Sequence, residues 1–116
     1  MKGYEDLLVW QHSIDLVPKI YELTRTFPRT EIYALSNQIR RAVVSIPANI
    51  AEGQARRHRK EFLQYLMISK GSLAELHTLL IVAERLRYVS SDQLAAAVFE
   101  LVEIRRMLAG LTTSLR

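Results

Sequence analysis

Residues 90–115 read SSDQLAAAVFELVEIRRMLAGLTTSL. Within them Leu94, Val98, Leu101, Ile104, Leu108, Leu111 and Leu115 follow one another at steps of 4, 3, 3, 4, 3 and 4. That spacing returns each side chain to one face of an α-helix, whereas a half-buried strand needs apolar residues at every second position. The start is marked as well. Ser90 and Gln93 have the spacing of a capping box, in which a hydroxyl and a side-chain amide satisfy amide groups that lack partners in the first helical turn. A helix of this kind must bury its stripe against other elements, so the neighbouring segments decide the architecture.

Upstream, Phe62, Leu66, Leu73, Leu76, Leu80 and Ala83 form the stripe of a helix predicted from about Arg59 to Tyr88, supported by Leu63, Met67 and Leu79. Gly71 lies in its middle. Glycine costs about 1 kcal/mol relative to alanine in a helix, and a close approach by a neighbouring helix is the physical reason expected for it. Before this, Leu35, Ile39, Val43, Ile46 and Ile50 keep one phase through a helix predicted from Thr30 or Glu31 to Arg57. The phase survives Pro47, which predicts one kinked helix and not two short ones, with Gly53 near its last turn. The first helix is expected from about Asp6 to Thr26, with Leu7, Trp10, Ile14, Val17 and Tyr21 on one stripe and Val9, Leu16, Ile20 and Leu23 beside it. Pro18 removes the hydrogen bond to the Ile14 carbonyl and predicts a kink, and Phe27-Pro28 ends the helix because a residue before proline avoids the α region.

Connections of a few residues make sequential helices antiparallel neighbours. The expected fold is all-α, an antiparallel up-and-down four-helix bundle forming a single domain over residues 1–116. A hairpin turning near Arg57-His58 places residues whose numbers sum to about 115 opposite each other. Ser45 then faces Lys70 or Gly71, and Arg41 faces Ala74 or Glu75, which predicts a close crossing at Gly71 and an Arg41–Glu75 ion pair or near contact. The first and third helices carry more apolar positions than the roughly three in seven that a solitary bundle needs. Burial of the surplus, with Trp10, between protomers is the expected consequence.

The composition agrees with one packed domain. The chain has 116 residues, of which 49% are apolar, and only four glycines and three prolines. It has no cysteine, which removes disulfides and thiolate metal ligation. The N-terminus lacks a secretory pattern, and no uncharged stretch approaches the roughly 20 residues of a membrane helix, so a cytoplasmic location is expected. The net charge of +4 is unevenly spread. Between Arg25 and Lys60 eight cations face two anions, Glu31 and Glu52, while the remaining residues carry eight cations and ten anions. Such asymmetry marks a surface for a polyanion, or simply helix ends solvated by arginine.

Catalytic patterns are missing from the sequence. It has no glycine-rich phosphate loop and no nucleophile elbow. His12, His58 and His77 follow Val9, Ala55 and Ala74 by three positions, so the Glu-x-x-His pairs of di-iron bundles are not available. His58-x-x-Glu61 and His12-x-x-Asp15 are isolated, and none of the histidines follows an arginine at the four-to-six-residue separation used by some helical ribonucleases. No catalytic residue, metal ligand or cofactor is therefore assigned. The second helix does carry a polar stripe, Gln38, Arg41, Ser45, Asn49, Glu52 and Arg56, on a face away from its core stripe at about 100° per residue. Its bland reading is a solvated face with a Glu52–Arg56 pair. The sharper one is a subunit interface or a binding surface, to which Gly71 and Glu75 are joined by the hairpin register.

The run QIRRAVVSIPANIAEG at residues 38–53, with Leu8-Val9-Trp10-Gln11, Phe27-Pro28, Lys60-Glu61-Phe62 and Gly71-Ser72-Leu73-Ala74-Glu75-Leu76, closely resembles the bacterial four-helix-bundle family named after 23S ribosomal RNA intervening sequences. The resemblance covers nearly the whole chain; Pro18 and His77 depart from its pattern. It implies a four-helix bundle assembled as a homopentameric ring, in a family whose molecular activity is not established. It also implies a fold similar to that of the basic, nucleic-acid-binding accessory proteins of diversity-generating retroelements.

The leading expectation is an oligomeric, non-enzymatic protein associated with RNA. Arg56, Arg57, Arg59 and Lys60 would make phosphate contacts, and Arg40 and Arg41 are weaker candidates. No aromatic platform interleaves with these cations, so base-specific reading is not expected. The alternative is a structural or adaptor oligomer that binds a protein partner, such as a retroelement accessory protein.

Overall fold

The computed structural model describes residues 3–116, and every regular element among them is helical. A single turn of 3-10 helix, Tyr4–Asp6, leads into α1 (Leu8–Thr24); a second, Arg29–Glu31, leads into α2 (Leu35–Ala55). Then come α3 (Arg59–Arg85) and α4 (Ser91–Leu115). Each helix packs on its neighbours in sequence, α1 also closes on α4, and α2–α3 is the most extensive contact, which is the up-and-down bundle. The core comes from one stripe per helix. Leu16 and Ile20 of α1, Ile39, Val43, Ile46 and Ile50 of α2, Leu66, Leu76 and Leu80 of α3, and Ile104 and Leu108 of α4 are almost wholly buried.

Both internal prolines are accommodated without interruption: α1 runs through Pro18 and α2 through Pro47. Pro18 is on the exposed side of its helix, where water reaches the carbonyl it leaves unbonded, while Pro47 is buried. By length and composition alone α3, with an apolar window of mean hydropathy 1.4, is able to cross a membrane. In this fold its Phe62–Leu66–Leu73–Leu76–Leu80 face is a wall of the core.

The capping box at α4 is complete. Gln93 N–H donates to Ser90 Oγ at 3.0 Å, and Ser90 N–H donates to Gln93 Oε1 at 2.8 Å. The second helix starts later than its apolar period suggests, because the 3-10 turn uses residues 29–31 and lets Glu31 act at a distance. Its carboxylate accepts from Leu35 N–H at 3.3 Å and from the Tyr88 hydroxyl at 2.8 Å. One acidic side chain thus joins the start of α2 to the end of α3, and the Tyr88 hydroxyl, donating to it, is held above its ordinary pKa. Phe27 packs on the Tyr88 ring at 5.3 Å beside this link.

α3 ends in a Schellman arrangement: Tyr88 N–H donates to the Ala83 carbonyl at 2.8 Å and Arg87 N–H to that of Glu84 at 2.9 Å. The motif needs a left-handed residue, and here it is Arg87 at φ 65° in place of the usual glycine. Left-handed backbone costs a non-glycine residue roughly 1–2 kcal/mol. Arg87→Gly relieves that cost while adding about 0.4–1 kcal/mol of freedom to the unfolded chain. The variant is expected to be the more stable by roughly 0.5–1 kcal/mol, read as a higher denaturant midpoint at unchanged slope.

The α2–α3 crossing departs from expectation. The hairpin register is as anticipated: Ser69 Oγ donates to the Ile46 carbonyl at 3.0 Å, and a Cβ at Gly53 would lie 2.5 Å from Tyr65 Cβ and 3.2 Å from Phe62 Cδ1. The close approach, however, falls at Gly53 and Ser69 and not at Gly71, which is exposed and has nothing within 4 Å of a built Cβ. Nor do Arg41 and Glu75, both exposed, form an ion pair among the described residues. Register and phase are separate quantities. Gly71 is two residues, about 200° of helix rotation, beyond the inward-pointing Ser69, and so it faces away from α2.

Candidate nucleic-acid interface

The basic turn is built by the two backbone states that reverse the chain. Arg56 closes α2 in helical conformation, Arg57 takes φ 60° with its N–H on the Gln54 carbonyl at 3.2 Å, and extended His58 opens α3. A turn this short leaves Arg56, Arg57, His58, Arg59 and Lys60 no room to fold inward, and all of them are exposed. They sit at one end of a bundle 42 Å in its longest dimension.

These cations are not equivalent. Arg56 Nη2 donates to Glu52 Oε2 at 3.2 Å and to the Tyr65 hydroxyl at 3.0 Å, and its guanidinium lies 5.3 Å from the Tyr65 ring centre. The Tyr65 hydroxyl in turn donates to Glu52 at 3.2 Å. The Glu52 hydrogen bond, with help from Tyr65 and Glu61, holds the Arg56 pKa above its ordinary value. Arg56 therefore stays charged, but its guanidinium is engaged by Glu52 and Tyr65. Arg57, Arg59 and Lys60 belong to no ion pair among the described residues, so their charge is directed to solvent.

Arg40 and Arg41 lie elsewhere. They are 16 and 15 residues before Arg56 on the same helix, about 23 Å along its axis. Arg40 is half-buried; its Nε donates to Thr24 Oγ1 at 2.9 Å and its guanidinium covers the Tyr21 ring at 4.7 Å. This side chain clamps α1 to α2, and only Arg41 is fully displayed. On the polar stripe, Gln38, Glu52 and Arg56 are exposed and Ser45 and Asn49 half-buried. Ser45 Oγ donates to the Ala42 carbonyl at 2.7 Å and Asn49 Nδ2 to that of Ser45 at 2.8 Å, so both are partly satisfied on their own helix. Gly71 and Glu75 lie on the exposed surface of α3.

Sequence reasoning missed Tyr65. Its signal was available, since Glu52 and Tyr65 are opposed in the hairpin register, but a tyrosine in an apolar helix reads as core. Several large apolar side chains are also outside the core. Tyr33 is 94% exposed, Phe99 67% and Leu8 65%. Trp10, by contrast, is half-buried within the chain and meets the Tyr4 ring in a tilted contact at 5.4 Å.

The family model described as "23S rRNA-intervening sequence protein" matches residues 5–110. The chain belongs to this family. A crystal structure of a protein of unknown function from the S23 ribosomal protein family of Bacteroides thetaiotaomicron VPI-5482 superposes with a TM-score of 0.80 at 24% identity, covering 90% of this chain and 98% of that one. That likeness carries the fold. No curated protein matches the chain in sequence. Within the intervening-sequence family, then, this chain presents an end studded with unpaired cations and an outer surface with isolated large apolar residues.

Proposed function

We propose that this intervening-sequence family protein is a cytoplasmic, non-enzymatic RNA-binding protein that works as a homo-oligomer, with a pentameric ring as the assembly. The observation that carries the RNA reading is the exposed, unpaired set Arg57, Arg59 and Lys60 at one end of the bundle. Cyclic symmetry gathers every copy of such an end on one rim, which sums the field of several protomers where phosphates approach. The family's printed name, which refers to 23S ribosomal RNA, agrees with this ligand class. The exposed Phe99 and Tyr33 support self-association, because apolar side chains of this size gain most when a partner removes them from water.

Replacing Arg57, Arg59 and Lys60 by Gln is expected to weaken binding of RNA by on the order of tenfold or more near 0.1 M salt, uniformly across sequences, and to flatten its salt dependence. Helix content and oligomer mass should not change. Wild-type binding that ignores salt, or a variant that binds like wild type, would remove the RNA reading. Light scattering that returns 13.4 kDa at micromolar concentration would remove the assembly. Exposed Phe99 also favours a second reading, an adaptor oligomer docking a protein partner, and co-purification of that partner after nuclease treatment would support it.

A further inference from the structure

The only charged side chains lining the groove between α3 and α4 are cations. Lys70 and Arg105 line it from α3 and α4 at its middle, where its two halves meet, and Arg116 lines its end nearest the basic turn. No Asp or Glu lines it, and none of these three cations joins an ion pair among the described residues. In the α1–α4 groove, by contrast, Lys19 is cancelled by Glu100 at 2.9 Å. The groove floor is apolar, with Leu66 and Leu108, and Thr112 and Thr113 add hydroxyls to its wall.

The cations are in line with the turn. Arg105 and Arg116 are eleven residues apart on one stripe of α4, about 16 Å along the helix. Arg59 precedes Lys70 by eleven residues on the corresponding stripe of α3. Since α3 and α4 are antiparallel, Arg116 and Arg59 meet the same end of the bundle. The unpaired charge therefore runs along the groove and continues round the corner onto Arg57 and Lys60.

We infer that the α3–α4 groove is a second nucleic-acid contact, a track for the phosphate backbone of a single strand that continues from the basic turn; this rests on the RNA reading above. A chain with one charge per nucleotide and freely turning torsions follows a path that bends from a groove onto a rim. A rigid acidic helix occupies only the straight part. No Phe, Tyr or Trp lines the groove, and its one ring, His77, lies at the end far from the turn, so the contact along the cations is to the backbone and tolerant of sequence.

The test uses a fluorescein-labelled uridine homopolymer of about 20 nucleotides, long enough to span groove and turn, with anisotropy read across a salt series. The variant Lys70→Gln/Arg105→Gln/Arg116→Gln is compared with wild type and with Arg25→Gln/Arg85→Gln/Arg106→Gln. The latter removes the same charge at exposed cations off the track, already paired with Glu22, Glu84 and Glu103. The groove variant is expected to lose at least tenfold in affinity and about 2 from the log–log salt slope, the loss for three phosphate contacts on a single strand. The control should stay within about threefold, and both variants should keep the wild-type melting transition. A groove variant equal to the control overturns the track; if Arg57→Gln/Arg59→Gln/Lys60→Gln still weakens binding, the RNA reading stands without it. Wild type that fails to bind the homopolymer overturns both. Binding of polyglutamate as tight as that of the homopolymer at equal salt overturns the phosphate assignment in favour of an acidic polypeptide.

Discussion

Gly53→Ala is expected to destabilise the protein by about 1–3 kcal/mol, the range for overpacking a well-filled crossing. Helix propensity argues the other way, since alanine is favoured over glycine by about 1 kcal/mol at an unconstrained helical site. Geometry decides between them. The added Cβ would stand 2.5 Å from Tyr65 Cβ, an atom fixed to the backbone of α3, so no rotamer change relieves the contact. The two helices must separate near their turn, and the cost spreads to Phe62, whose ring edge is 3.2 Å from the same point. Gly71→Ala is the internal control. With nothing within 4 Å, it should keep the propensity gain and raise stability by up to about 1 kcal/mol. Urea midpoints of both variants at unchanged slope check the pair. Equal shifts of the same sign would mean that the close approach is not at Gly53.

Leu76→Ala should cost about 2–5 kcal/mol. Leu76 is 0% exposed in the middle of α3, and its removal leaves a void that the surrounding isoleucines and leucines of four packed helices fill only in part. Against a total stability of about 5–15 kcal/mol for a domain, this shifts the melting temperature by many degrees. Phe99→Ala deletes a larger side chain from α4, yet at 67% exposure it should alter the stability of the fold by no more than about 0.5 kcal/mol. Its effect is expected in assembly, as a smaller mass by light scattering at the same protein concentration. A Phe99→Ala protein that keeps both its mass and its melting temperature would place the subunit interface elsewhere on the surface. A Leu76→Ala protein as stable as wild type would contradict the packing of the core itself.

Much of this protein was legible in one dimension because helices repeat. The steps from Leu94 to Leu115 and the Ser90–Gln93 box determined α4 and its start, and Ile39, Val43, Ile46 and Ile50 determined a helix that continues past Pro47. Periodicity is local, so it reports type and inward face from neighbours in sequence. Short connections then leave one topology, and the turn at Arg57-His58 follows from where one stripe ends and the next begins. The basic character of that turn is likewise local, being written in adjacent residues.

What depended on the meeting of distant helices was not legible. The crossing falls at Gly53 and Ser69, and not at Gly71, because a hairpin register sets height along the helices but not rotation about them. Rotation is settled by which side chains all four helices bury together. For the same reason four arginines of similar sequence context separate into different roles only in three dimensions. Arg56 is held by Glu52 and Tyr65, Arg40 is spent clamping α2 to α1, and Arg57 and Arg59 face solvent. The alignment of Lys70, Arg105 and Arg116 in one groove is only half written in the sequence: the eleven-residue spacing of Arg105 and Arg116 puts them on one stripe of α4, but not on a particular groove. The packing of α3 on α4 decides that this stripe borders Lys70 and that the carboxylates lie outside the groove.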